Sequence, residues 1–223
     1  MALSQTMMNE LCGRIKGGER IASFGYPDVI GEVSNIIGSR KIEYREDSAA
    51  ICKRHGLPLH PIPDAESFFS ALGCALTVFD IVKERGCETL CDLNEPIYGH
   101  EGYDFVIDVG TLEHCFNIGQ AAQNMAGMVK AGGIILHENP FNWGNHGFYG
   151  FNPTWYVDFY EQNGFELLKC SMVRRDGSVV DAPQTKRFAL KNDEEMLCFV
   201  VARRVEVVEF KWPKQTKYKH LLE

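Results

Sequence analysis

Apolar residues in this chain fall into short runs separated by segments where they recur every three or four positions, which predicts strands joined by helices. Residues 21–24 (IASF), stopped by Tyr26-Pro27, are the first expected strand. Residues 28–37 (DVIGEVSNII) place Val29, Val33, Ile36 and Ile37 at helical spacing with Gly38 as the stop, which predicts a helix. The pattern weakens over residues 39–63, where a helix is expected around 47–55, followed by the proline-punctuated loop 57–63. Asp64 is a candidate N-cap for a helix through Phe68, Phe69 and Leu72. Residues 75–80 (ALTVFD) read as strand two and 87–92 (CETLCD) as a short strand three, each ending in an acid.

The second half is more regular. Residues 103–108 (YDFVID) are strand four, and residues 115–130 are a helix with apolar positions at Ile118, Ala121, Ala122, Met125 and Met128. Gly132-Gly133 turns the chain into strand five, residues 134–137. A helix over 154–162 leads through Asn163-Gly164 into strands 165–172 and 196–203, with 173–195 as their connector. Strands alternating with helices imply an α/β fold of the doubly wound, Rossmann-like kind. Its sheet should have seven strands, mostly parallel, with an antiparallel edge hairpin and helices on both faces. One domain over 1–223 is expected, with an insertion at 39–73 and a tail at 204–223.

Composition supports that reading and narrows the function. A chain of 223 residues, 45% hydrophobic and 24% charged, can bury one sizeable core. It lacks a run of ~18 apolar residues and an N-terminal signal pattern, so a cytoplasmic protein with no membrane association is expected. The net charge of −7, with scattered Lys and Arg, disfavours a nucleic-acid partner. Eight cysteines in such a chain read as reduced thiols. Cys52, His55 and His60 with Cys87 and Cys91 lack the tight spacing of a zinc knuckle, and no metal is expected.

In an open α/β sheet, ligands bind beyond the carboxyl ends of the strands. Strand one ends in Phe24-Gly25-Tyr26, where Gly25 would let a ligand approach the backbone. Asp80 could accept hydrogen bonds from the hydroxyls of a ribose, and Asp92 with its neighbouring backbone could read an adenine edge. Strand-terminal acids also serve as helix caps and loop acids, and both readings stand.

Residues 103–140 combine Tyr-Asp, an apolar strand, Leu112-Glu113-His114, a helix, Lys-x-Gly-Gly, a second apolar strand and a proline. This order resembles that of class I S-adenosylmethionine-dependent methyltransferases, as does the later Asn163-Gly164-Phe165. The resemblance implies S-adenosylmethionine as cofactor. Asp108, Val109, Gly110 and Thr111 would border its methionine moiety, Leu112-Glu113-His114 would open the next helix beside it, and Phe24, Gly25, Tyr26, Asp80, Ile81, Asp92 and Leu93 would complete the cofactor site. The chain departs from the family at strand one, where Phe-Gly-Tyr-Pro-Asp replaces a glycine-rich loop and residues 25–74 replace a single helix.

Loop 137–152 would then face the acceptor, expected to be a small molecule or glycan precursor methylated at a hydroxyl or amine. His146 is the first candidate for general base, with His137 and Tyr149 next. Aromatic faces there suit a flat or apolar substrate, and Asn139, Asn142 and Asn145 could orient its polar groups. A metal held by His137, Glu138 and His146 lacks paired-acid spacing. Residues 48–64 could form a lid, and the basic, aromatic stretch 210–218 could pack back on the domain or contact a partner, its blander reading being a partly ordered terminus. The rival reading is a catalytically silent binding or assembly subunit. A dinucleotide oxidoreductase lacks its Gly-x-Gly-x-x-Gly fingerprint, and a homodimer is left open.

Overall fold

The structure, a computed structural model, describes residues 2–182, 188 and 194–221, the side chains of 219–221 excepted. The chain divides into two compact units, Met1–Cys91 and Asp92–Glu223.

In the first unit, β1 (Ala2–Leu3) pairs in parallel with β3 (Asp28–Val29), while β2 (Arg20–Phe24), β4 (Ala75–Asp80) and β5 (Thr89–Leu90) form a parallel ladder in the order β5-β4-β2. Helix α1 (Gln5–Cys12) starts at Ser4, whose Oγ accepts from the Met7 N–H at 3.2 Å. Asp64 caps α4 (Ala65–Ala71) as anticipated, accepting from the Ser67 N–H at 3.0 Å. Between them lie α2 (Ser34–Ile37) and α3 (Ser48–His55), the latter closed by Gly56 at φ 65°.

The expected helix over 28–37 is reduced to the four residues of α2. Asp28 and Val29 are drawn into a ladder with β1 instead, so that Leu3 faces Val29. Gly31 lies so close to α1 that an added Cβ would stand 2.6 Å from the Met8 sulfur. Burial against α1 thus overrides a helical pattern that Val29 and Val33 carry only in sequence. Strand three is likewise shorter than expected. The Glu88 carboxylate accepts from the Arg85 and Gly86 N–H groups, holding a turn immediately before β5.

In the second unit the order is β6-β7-β10-β8-β9. Strand β6 (Tyr103–Asp108) runs parallel to β7 (Val129–Pro140), and β10 (Met196–Arg204), β8 (Phe165–Arg174) and β9 (Val179–Asp181) continue antiparallel. Helix α5 (Ile118–Met128) links β6 to β7, and α6 (Pro153–Gln162) packs on β8. Among the described residues, three ladder strands in the first unit and five in the second make eight, against seven expected. The extra one, β9, lies in the connector 173–195, part of which falls outside the described residues. The fold class is the expected one: parallel strands, flanking helices and an antiparallel hairpin.

Strand β7 begins at Val129 rather than Ile134, because Val129 already pairs with Tyr103. Gly164, at φ 79°, leaves α6 where a Cβ would sit 2.6 Å from the Glu206 carbonyl, so the Asn163-Gly164 turn needs glycine for space as well as conformation. The tail docks on the unit. Asn163 donates to the Lys211 carbonyl and accepts its N–H, Gln162 does the same with Lys214, and Thr216 binds Asp158. Among the described residues no helix is long and apolar enough to cross a membrane.

Candidate active site

Strand β6 ends in Asp108, which has no exposed surface. Its Oδ1 caps the following turn, accepting from the N–H groups of Thr111 (2.9 Å) and Leu112 (3.3 Å). Its Oδ2 meets His137 Nδ1 at 2.7 Å and accepts from Asn139 Nδ2 at 2.9 Å. Parallel pairing brings these groups together, because Asp108 lies opposite His137 on β7.

His137 Nε2 in turn meets the Tyr160 hydroxyl at 2.5 Å. Both ring nitrogens of His137 are thereby engaged, Nδ1 with the Asp108 carboxylate and Nε2 with the Tyr160 hydroxyl. Burial pushes the Tyr160 and Tyr156 hydroxyls well above the usual tyrosine range, so both remain donors. His137 is fully buried and hydrogen-bonded at each ring nitrogen.

Asn139 extends the network outward. Its amide donates to Glu113 Oε2 at 3.0 Å, and its carbonyl oxygen accepts from the Tyr156 hydroxyl at 2.6 Å. Glu113 lies in the 3-10 turn Leu112–His114 and is itself fully buried. Burial, reinforced by the Asp108 carboxylate, raises its carboxyl to about 7, with the Asn139 amide pulling the other way. Its Oε1 has no hydrogen-bond partner among the described residues. Gly110, at φ 90°, keeps that oxygen uncovered, since a Cβ there would approach it to 3.1 Å.

Loop 141–151 closes on this corner. The Phe148 N–H donates to the Glu113 carbonyl at 2.7 Å, and a Cβ on Gly147 would meet the same carbonyl at 2.7 Å. Asn145 takes a left-handed φ of 59°, turning the chain so that His146 Nε2 stands 3.6 Å from Glu113 Oε1, with its side chain 40% exposed. The His114 and His146 rings lie 5.3 Å apart, and Trp143 meets His146 edge-on at 5.0 Å. Burial, then the neighbouring imidazole, lowers the His114 pKa. The Tyr149 hydroxyl donates to the Phe116 carbonyl, while the Phe116 and Phe148 rings stand T-shaped and exposed.

The cofactor candidates of the first unit gather at the carboxyl ends of β2 and β4. Gly25, at φ 77°, donates its N–H to the Phe79 carbonyl at 2.7 Å. Asp80 is half-buried, with Oδ1 accepting from the Val82 N–H at 3.2 Å, and Ile81 is exposed. Phe24 and Tyr26 are less available than the sequence suggests. Phe24 is fully buried in a stack with Phe79. The Tyr26 hydroxyl donates to Asp64 at 2.5 Å, and its ring lies under Arg85 and Arg45.

Asp28, two residues on, accepts from Arg54 at 2.7 Å and meets His55 Nε2 at 2.9 Å. The inserted helix α3 thus folds onto the turn after β2. In the second unit Asp92 holds a turn through the Asn94 N–H, and Asn94 accepts from Asn117 at the start of α5. Leu93 is buried, its carbonyl accepting from Asn124.

The cysteine and histidine set around Cys52 does not assemble. His55 turns to Asp28, Cys52 meets His60 at 3.7 Å, and none of the eight cysteines is in a disulfide. Of the groups that build the corner, Glu113, Tyr156 and Tyr160 were not singled out for these roles by sequence reasoning. The acid of the Leu-Glu-His triplet was the available signal for Glu113.

No family model and no curated protein matches the sequence. Among solved structures the chain is similar to 1,6-didemethyltoxoflavin-N1-methyltransferase of Burkholderia thailandensis, which holds 1,6-didemethyltoxoflavin and S-adenosylhomocysteine. Identity is 12%, over 91% of this chain and 76% of that one, with a TM-score of 0.50. A candidate methyltransferase of Bacillus halodurans C-125 aligns over 90% of this chain and 98% of its own, at 11% identity and a TM-score of 0.53. A candidate S-adenosylmethionine-dependent methyltransferase of Listeria monocytogenes aligns over 91% and 97%, at 11% identity and 0.52. The fold is that of class I S-adenosylmethionine-dependent methyltransferases. Asp80 and Asp108 are each the last residue of their strand, and loop 141–151 follows the strand that carries His137.

Proposed function

We propose that the chain is an S-adenosylmethionine-dependent methyltransferase acting on a small molecule at oxygen or nitrogen. The observation that carries this reading is the methyltransferase fold along nine-tenths of the chain, with polar groups kept at its strand ends. Asp80, Gly25 and Ile81 in the first unit, and Val109, Gly110 and Asp92 in the second, are the groups we assign to the cofactor. Asp80 is assigned to the ribose, because a half-buried carboxylate suits two hydroxyl donors. The cofactor, when bound, supplies a methyl group on a sulfonium.

The protein's share of the chemistry is alignment, water exclusion and proton handling. Asp108, His137 and Tyr160 form a rigid internal brace, and Asn139 carries that rigidity to Glu113. The acceptor heteroatom is assigned to the corner between Glu113 and His146. His146 is the solvent-accessible group there and the one we assign to acceptor activation, with Tyr149 positioning the loop. The exposed Phe116 and Phe148 rings favour a planar or apolar acceptor, in line with the heterocycle bound by the Burkholderia relative.

A silent binding subunit is the second reading, and one observation favours it. The turn after β2 is filled by Phe24, Tyr26 and the Asp28 ion pairs where a glycine-rich loop would leave backbone open. Calorimetric titration with S-adenosylmethionine and S-adenosylhomocysteine separates the two. Both should bind, Asp80→Ala should weaken binding by at least about tenfold, and His146→Ala should preserve binding while slowing turnover. No heat at millimolar ligand would leave the silent subunit as the better description.

A further inference from the structure

Glu113, His114 and His146 place one carboxylate oxygen and two imidazole nitrogens within 4.8 Å of one another. We propose that they form a binding site for a divalent transition metal of the zinc class, with coordination positions left open towards the acceptor side.

Geometry and chemistry agree on the donor set. Two imidazoles and one carboxylate are a known open-site combination for zinc and for iron(II). Tetrahedral bonds of about 2.1 Å place donors ~3.4 Å apart, and Glu113 Oε1 already lies 3.6 Å from His146 Nε2. Shortening the longer separations takes a side-chain rotation of His146 or His114, both exposed.

An independent observation points to a missing positive partner. Glu113 Oε1 is fully buried, has no hydrogen-bond partner among the described residues and is directed at His146. A buried carboxylate oxygen without a donor is costly unless a proton or a cation completes it, and the two imidazoles beside it are the ligands a cation would share. The surroundings hold that oxygen in place. Asn139 fixes Oε2, Tyr156 fixes Asn139, and the nearby Asp108 carboxylate adds negative charge. Hydrogen bonds of this kind commonly orient metal ligands. Gly110 and Gly147 leave room that any side chain would take, and the Phe148 N–H holds the His146 segment against Glu113.

The site does not depend on methyl transfer; with the metal bound, His146 would serve acceptor activation as a ligand and not as a free base, since a metal-bound acceptor hydroxyl loses its proton more readily. The test uses the full chain, stripped with a chelator, dialysed and titrated with Zn²⁺ against a chromophoric chelator, with Co²⁺ absorption as a second readout. One equivalent should bind, and cobalt should give the visible bands of a low-coordinate nitrogen and oxygen site without thiolate charge transfer. Glu113→Gln, which keeps shape, and His146→Ala, at an exposed loop position, should each weaken binding at least about tenfold. Circular dichroism would confirm that both fold, and Cys52→Ser and His60→Ala should change nothing. Absence of stoichiometric binding, or binding lost in Cys52→Ser but kept in Glu113→Gln, would overturn the site. Cofactor titration of the same protein is read separately, so loss of one idea does not mask loss of the other.

Discussion

At the residue scale the most sensitive position is Gly110. Its φ of 90° and the 3.1 Å approach of a hypothetical Cβ to Glu113 Oε1 argue that Gly110→Ala costs about 1–3 kcal/mol. Chemical denaturation would register the loss as a lower midpoint with unchanged slope. Asp28 gives a pH signature. Burial alone would raise its carboxyl, but the His55 hydrogen bond and the Arg54 charge hold it below the usual carboxylate range. A carboxyl depressed in the folded state stabilises above its unfolded pKa, near 4, and that stability is lost as pH falls through the folded value. Asp28→Asn should therefore cost about 3 kcal/mol at pH 7, because it removes the buried carboxylate that Arg54 and His55 share, while Arg45 keeps its closer partner Asp47. The gap between variant and parent should close as pH drops below about 4 in urea titrations. A gap that is constant with pH would mean the charge is not what matters.

At the scale of elements, Asn163 joins helix to tail. It donates to the Phe159 and Lys211 carbonyls and accepts from the Lys211 N–H while 5% exposed. Asn163→Ala should cost about 2 kcal/mol and release the strap, with faster tryptic cutting at Lys211 and Lys214 as the measure. Unchanged cutting would show that Phe210, packed against Phe159, holds the tail without it. Packing of residues 210–218 on the domain was one of the readings the sequence left open, because it relies on side-chain partners far away in sequence. Strands were legible where an apolar run ended in an acid, as at Asp80 and Asp108, whereas strand five, expected to stop at His137, runs on to Pro140 because Glu138, Asn139 and Pro140 pair with β10. The helix over 28–37 was misread because its apolar spacing coincides with a ladder to β1 that no local pattern announces. Tyr156 and Tyr160 read as core aromatics of an amphipathic helix. Their hydroxyls acquire roles only when α6 packs beside β7 and finds His137 and Asn139.

At the scale of the whole molecule, the order of elements from Tyr103 to Phe165 was enough to name the fold, since that order is what packing selects. The same order leaves cofactor use open, because the turn after β2 departs from the family's glycine-rich loop and recruits α3 instead. Ligand-linked stability measures whether that departure matters. A ligand present at about a hundred times its Kd stabilises the native state by ~2.7 kcal/mol. For a chain of this size that corresponds to a rise in Tm of about 5–10 °C. S-adenosylhomocysteine should produce such a rise, and Asp80→Ala should abolish most of it at the same concentration. NADH, for which no Gly-x-Gly-x-x-Gly loop exists in the chain, should leave Tm unmoved. If neither nucleotide shifts Tm while Zn²⁺ does, the Glu113 corner is a metal site on a methyltransferase fold that no longer takes the methyl donor, and the inserted helix over Asp28 is the structural reason.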